Sequence, residues 1–235
     1  MNQEVSSLLS TEELAAIKRW LASADDSRRN PLSAGYQGAV YLFEGPNGRR
    51  IIKEAADSGL VSLFSRGMLR REARAYRVLE GIAGIPRCFG FIEGRYLVLE
   101  FIDGKNLRDS RRDIADRDAF FGELLDTVKA IHGRFVSHND LKRKDNVIVT
   151  EGLEPVLIDF GLARVHDGNT LLFRLLRQHD YNSWIKIKYH YATDQISDKD
   201  LPYYRPTLLE RAFRSLRKLW RTITFRQWRK ARQKR

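Results

Sequence analysis

A few side chains spread along this 235-residue chain could act together in chemistry. Asp140 lies in the polar stretch 137-SHNDLKRKDNVIV-149, which packs acids and bases together ahead of an apolar run, as a phosphoryl-transfer loop would. Lys142 stands beside it, and Asn146 closes the loop just before the apolar run Val147-Ile148-Val149. Thirteen residues further on, Asp159 ends the apolar run Val156-Leu157-Ile158 and is followed by Phe-Gly. Side-chain oxygens at such strand ends suit a hard cation. Lys53 sits inside the apolar stretch RRIIKEAA, and Glu72, nineteen residues on, could hold its amine. Gly35 and Gly38, in GYQGAV, would let backbone N–H groups come close to a phosphate. Taken singly, each has an ordinary reading: a solvated turn, hairpin glycines, a lysine on a solvent face, a surface ion pair on a helix.

The elements that must position these residues are legible from patterning. Ser10 followed by Glu13 reads as a capping box, and Leu14, Ile17 and Leu21 recur at helical spacing, so 10–22 is expected to be a helix. Strand-like runs at 39–43 and 51–53 flank a Gly-Pro-Asn-Gly turn at 45–48, a hairpin signal. Residues 68–80 read as a helix with Leu69, Ala73, Tyr76 and Leu79 on one face, followed by strands at 88–92 and 96–102. After Gly104 the character changes. A helix is expected at 117–133, strands at 147–149 and 156–158, and helices at 170–190 and 207–232. A strand-rich first part followed by a helix-rich second part predicts an α+β, two-lobed fold. The expected division is an N-terminal helical extension at 1–30, a β-rich small lobe at 31–103, a helical large lobe at 104–205 and a basic helix at 206–235.

Composition narrows the class. Hydrophobic residues make up 43 % of the chain, enough for a packed core. Cys88 is the sole cysteine, excludes an internal disulfide, and reads as a small buried hydrophobe. The N-terminal stretch carries acids and lacks an apolar core, so no signal peptide is expected, and no apolar run is long enough to span a membrane. The net charge of +12 is concentrated: residues 205–235 carry twelve Lys/Arg against Glu210, while residues 1–204 are nearly neutral. That near-neutral body offers no extended basic groove, so nucleic acid is not an expected partner. In the tail, Leu209, Phe213, Leu216, Trp220 and Ile223 share one helical face, and Arg211, Arg214, Arg217, Lys218 and Arg221 cover the rest. This pattern suits a helix at an anionic membrane surface, or one whose apolar stripe packs on the large lobe.

The order of the chemistry-bearing residues is more specific than any one of them. A Gly-rich hairpin, strand Lys53, helix Glu72, the His138-Asn139-Asp140 loop with Asn146, and then Asp159-Phe160-Gly161 follow the order of the protein-kinase signature set. Over about residues 33–185 the chain resembles the protein-kinase-like superfamily. The resemblance implies Asp140 as catalytic base, Lys142 near the transferred phosphate, and Asn146 and Asp159 as ligands of Mg²⁺ or Mn²⁺ on ATP. It implies that Gly35, Gly38, Val40, Lys53 and Glu72 form the nucleotide site, with Glu100 and Ile102 on the link between lobes that receives the adenine.

Several features depart from the usual pattern. The loop from Asp140 to Asn146 is one residue longer than in ordinary protein kinases, which leaves Asp145 as an alternative to Asn146. Ser33 replaces the first glycine, and Asn139 stands where an Arg is common. No Ala-Pro-Glu follows Asp159, so the usual activation and peptide-docking segment is expected to be lacking, and Asp180 is a candidate to brace the catalytic loop. This compactness resembles RIO-type kinases and bacterial lipopolysaccharide-core kinases acting on Kdo or heptose. The expectation is an ATP-dependent kinase of a core sugar, cytoplasmic and peripheral at the inner membrane, with a glycolipid acceptor. The alternatives are a compact RIO-like serine/threonine protein kinase with a protein acceptor and, less favoured because every catalytic position is filled, a pseudokinase scaffold.

Overall fold

The computed structural model describes residues 8–23, 31–35, 38–56 and 59–206. The basic helix expected at 207–232 lies outside the described residues.

The chain opens with α1 (Thr11–Ala22), whose N-cap Ser10 accepts a hydrogen bond from the Glu13 N–H. Only half of the expected capping box forms. The Glu13 side chain turns inward instead, pairing with Arg50 at 2.9 Å in a buried contact. A five-stranded antiparallel sheet follows, built from β1 (Ser33–Gly35), β2 (Gly38–Gly45), β3 (Gly48–Ala55), β4 (Cys88–Ile92) and β5 (Tyr96–Glu100), in the order β1-β2-β3-β5-β4. The β2–β3 hairpin pairs Gly45 with Gly48, so the expected four-residue turn tightens to Pro46-Asn47. Between β3 and β4 runs α2 (Gly59–Val78), which begins nine residues before the expected helix. Its first turns contain two glycines and expose Leu63 and Phe64, so no amphipathic stripe marks them.

β5 ends at Glu100, two residues sooner than expected, and the chain leaves the sheet through Phe101 and Ile102 into the large lobe. There β6 (Gly104–Asn106) and the single turn α3 (Leu107–Ser110) precede α4 (Arg117–Gly133), which is capped by Asp116. Next come β7 (Val136–Ser137), β8 (Val147–Thr150), β9 (Pro155–Leu157) and β10 (Arg164–Val165), and then α5 (Leu171–Lys188), capped by Thr170. β6, β8 and β9 form one small sheet, and β7 pairs with β10 in another. Only eleven residues, 160–170, separate Asp159 from α5, in keeping with the expected lack of a peptide-docking segment.

Two apolar clusters explain the layering. Both faces of the small-lobe sheet are covered. Ile52, Val98, Phe43 and Phe89 pack with Leu9 and Ile17 beneath α1. Ala55, Leu97 and Leu99 face α2, and there the cluster continues through Tyr76 and Phe160 into Leu141, Val147, Leu157 and Trp184 of the large lobe. One core thus runs through both lobes, and α1 belongs to the small lobe's packing. Ile17 is fully buried, so Ile17→Ala should cost about 2–5 kcal/mol in urea unfolding. A loss below about 0.5 kcal/mol, as at an exposed surface position, would show that α1 is not part of that core.

Candidate active site

Register places Lys53 on the inner face of the sheet. It pairs across the hairpin with Val40 and across β5 with Leu97, so the three side chains share the face turned toward α2 and the cleft. Lys53 Nζ lies 2.6 Å from Glu72 Oε1 and 3.0 Å from Asp159 Oδ1. One amine therefore ties β3, α2 and the end of the β9 segment together. Burial works against its charge, but Glu72 and Asp159 outweigh burial and lift the amine to about 12. Burial pushes the enclosed Glu72 carboxyl upward against the pull of Lys53. At the more open Asp159, burial is overcome by Lys53 and the carboxyl falls below its usual value. The short 2.6 Å contact is of the kind that favours an ionised Glu72 beside the charged amine.

Asp159 itself is left-handed (φ 64°) and starts the 3-10 turn Phe160–Leu162. That backbone turns the carboxylate toward Lys53 and sends Phe160 inward beneath α2. The Phe160 ring is fully buried, edge-on to Tyr76 at 4.9 Å and to His138 at 4.8 Å. Gly161 fits because a Cβ there would stand 3.3 Å from Asp159 Oδ1.

The loop after β7 is held from below by Asp180 of α5, which is completely buried. Its two oxygens accept the backbone N–H groups of His138 and Asn139, each at 2.8 Å, and one also meets His132 Nε2 at 3.1 Å. The brace expected at this position is present. His138 Nδ1 accepts from the Asp140 N–H, which leaves Nε2–H to donate to the Ile158 carbonyl and assigns a neutral ring. Burial holds its pKa below the ordinary value, consistent with that tautomer. Asn139, left-handed at φ 67°, donates to the Leu162 carbonyl at 2.9 Å and so fastens the loop directly to the 160–162 turn.

Asn146 and Asp145 are separated by their contacts. Asn146 is buried, and its Nδ2 donates to the Asp140 carbonyl at 3.1 Å and to the Asp140 carboxylate at 3.2 Å. Its Oδ1 has no donor among the described residues. The Ile158 N–H bonds the Asn146 carbonyl, which sets Asn146 next to Asp159. Asp145 turns away into an ion pair with Arg108 at 2.7 Å. The oxygens left open on Asn146 and Asp159 form an all-oxygen set of the kind a hard divalent cation prefers. Arg143 approaches Asp140 at 3.7 Å, and Lys142 is exposed, with no partner among the described residues.

Gly35 ends β1 opposite Gly38, and the two residues between them lie outside the described ones. Gly38 (φ 138°) could not carry a side chain, since a Cβ would meet the Glu54 carbonyl at 2.0 Å. Glu100 is tied to the Arg87 backbone by both its own backbone and its carboxylate, and Ile102 lies half-buried on the link between lobes. The reading of the sequence missed the roles of Tyr76 and His132. Tyr76 had been assigned only to a core face, and nothing in the spacing of His132 distinguishes it from other helical residues.

Two outcomes are expected from this geometry. Asp180→Asn replaces one acceptor oxygen by an NH₂ facing a buried N–H donor, so thermal unfolding should report a loss of about 1–3 kcal/mol. A neutral result would remove the brace from the account. Lys53 has a folded-state pKa above its ordinary 10.5, so its stabilisation is complete below pH 10.5 and is lost as pH rises through about 12. Lys53→Met strands two acids and should cost about 3–5 kcal/mol at pH 7. The gap from wild type should narrow above pH 10.5, and a gap that stays constant to pH 12 would contradict the paired amine.

Comparison with known proteins agrees with this geometry. The protein kinase domain family matches residues 35–194, more than half of the chain. The chain is 26 % identical over 139 residues to the serine/threonine-protein kinase cds1 of Schizosaccharomyces pombe, covering 56 % of this chain and 29 % of that protein. It is 34 % identical over 99 residues to the serine/threonine-protein kinase RAD53 of Saccharomyces cerevisiae, covering 37 % and 12 %. It is 29 % identical over 139 residues to the CBL-interacting serine/threonine-protein kinase 21 of Arabidopsis thaliana, covering 55 % and 33 %. The matched stretches thus span at most a third of these relatives. The similarity covers the small-lobe sheet, the braced loop and the Asp159 turn together, and the chain belongs to the protein kinase domain family.

Proposed function

We infer that the chain is an ATP-dependent serine/threonine protein kinase. The observation that carries this reading is the closed contact of Lys53 with both Glu72 and Asp159, beside an Asp140 carboxylate held by Asn146. Asp140 accepts the proton of the attacking hydroxyl, and the Asn146 amide fixes its orientation. Lys53, kept charged by Glu72, binds the α- and β-phosphates, and exposed Lys142 reaches toward the transferred phosphate. Asn146 Oδ1 and the Asp159 carboxylate would hold a divalent cation, which would neutralise charge on the phosphates. The N–H groups around Gly35 and Gly38 cover those phosphates, Val40 packs on the adenine, and the backbone at Glu100 and Ile102 receives its edge.

The relatives named above favour a protein hydroxyl as acceptor. The expectation of a lipopolysaccharide-core sugar rested on the short 160–170 segment and gains nothing from the comparisons. The membrane role of the tail falls on residues outside those described. The test is transfer of labelled γ-phosphate from ATP to a protein substrate. Asp140→Ala should lower turnover by about 10²-fold or more while ATP affinity stays within a few-fold. Asn146→Ala should lose transfer, whereas Asp145→Ala should keep it. Unchanged turnover in Asp140→Ala, or label entering only a glycan, would overturn the reading.

A further inference from the structure

Between α3, the start of α4 and the end of α5 lies a cleft of about 740 Å³ that the phosphate-transfer reading does not use. Arg108, Arg111, Arg112, Arg117 and His190 line it. Lys144 stands close by, on the 3-10 turn Lys144–Asn146 that packs against α3. The acids nearby do not balance these cations. Asp109 is the acid that lines the cleft; Asp145 is taken by Arg108 at 2.7 Å, Asp118 beside Arg117 is shared by Lys188 and Lys199, Asp116 caps α4, and Asp113 is exposed outside the lining. Arg111 and Arg112 are exposed and make no hydrogen bond or ion pair to another described residue. Near-neutrality of the body as a whole conceals this local excess.

The cleft is built, not merely decorated. Arg117 donates to the Lys188 carbonyl at 3.0 Å, approaches His190 Nε2 at 3.3 Å and lies over the Phe121 ring at 5.1 Å. To accept from that guanidinium His190 must be neutral, and burial together with Arg111 and Arg117 pushes it down to about 4. His190 and Tyr191 both adopt left-handed backbone, φ 53° and 67°, a conformation that residues with side chains rarely take. Such strain persists where the surroundings enforce it, and it often marks sites with a function.

The cleft's position relative to the catalytic loop supplies the function. Three consecutive residues connect the two. Asn146 holds the Asp140 carboxylate, Asp145 holds Arg108, and Lys144 opens the same turn. A substrate hydroxyl placed at Asp140 therefore has its flank beside an array of cations that repel one another until an anion arrives. Guanidinium groups match carboxylates and phosphates in charge and in paired hydrogen bonding. We propose that this cleft binds the acidic flank of the acceptor, so that the preferred substrate is a serine or threonine in a peptide rich in Asp and Glu. The proposal rests on the protein-kinase reading for its acceptor but not for its binding.

The experiment measures binding of a fluorescent Asp/Glu-rich peptide containing one serine, and of its Lys-rich counterpart, to the full-length protein. Arg111→Glu/Arg112→Glu is compared with Lys18→Glu/Arg19→Glu, an equal charge change on exposed positions of α1. The acidic peptide should bind wild type and the α1 variant alike. It should bind the cleft variant about tenfold or more weakly, because two charge-assisted contacts are lost, and KM for its phosphorylation should rise in parallel. Equal weakening by both variants, or by neither, would overturn the proposal. Arginine-dependent binding without transfer to any peptide would uphold the cleft and sink the protein-kinase reading instead. If purified lipopolysaccharide core binds through the arginines while the acidic peptide does not, the peptide assignment is overturned in favour of an anionic glycan.

Discussion

The structure depends on one amine. Lys53 Nζ reaches the buried Glu72 on one side and the more open Asp159 on the other, and Glu72 without it would be an enclosed acid lacking its cation. The contact does more than compensate burial. It fixes α2 against the sheet, and it holds Asp159 in a left-handed turn whose next residue, Phe160, seals the core between the lobes. The small lobe, α2 and the large lobe are positioned together because three charged atoms must meet. The cation proposed to bind phosphate and the carboxylate proposed to bind the metal are thereby set side by side.

The second constraint is hydrogen bonding to carboxylates in the loop. Asp180 spends its oxygens on two backbone N–H groups, and Asn146 spends its amide on Asp140. Asn139 adds a direct bond to the 160–162 turn, at the position where the kinase resemblance leads one to expect an Arg. With only eleven residues between Asp159 and α5, there is little chain to order and a short amide can do it. The compactness of the large lobe and the replacement at position 139 are two expressions of one economy.

Much of this was legible in the sequence. Lys53, Glu72, Asp140, Asn146 and Asp159 were marked by order and spacing, because the chemistry fixes their types and the fold fixes their separations. The helix at 117–133 was readable since its apolar period is complete and Asp116 caps it. What was not legible depends on contacts between distant segments. The first turns of α2 carry exposed Leu63 and Phe64 without a stripe, β6 and α3 are too short for any period, and Glu13 left its capping box for Arg50. The choice between Asn146 and Asp145 could not be read from their neighbours in sequence either. It turned on Arg108, thirty-seven residues away, which draws Asp145 out of the site. The cationic cleft was hidden for the same reason, since its arginines come from α3, the loop after it and α4, and meet His190 just beyond the end of α5.

The central claim is that the Lys53–Glu72–Asp159 contact is a preassembled seat for nucleotide and cation. Calorimetric titration of ATP with and without Mg²⁺, on wild type and Asp159→Asn, tests it most directly. The account predicts that Mg²⁺ tightens ATP binding in wild type and has little effect once Asp159 is neutral. Equal affinity with and without Mg²⁺ in wild type, or an undiminished effect of Mg²⁺ in the variant, would contradict it.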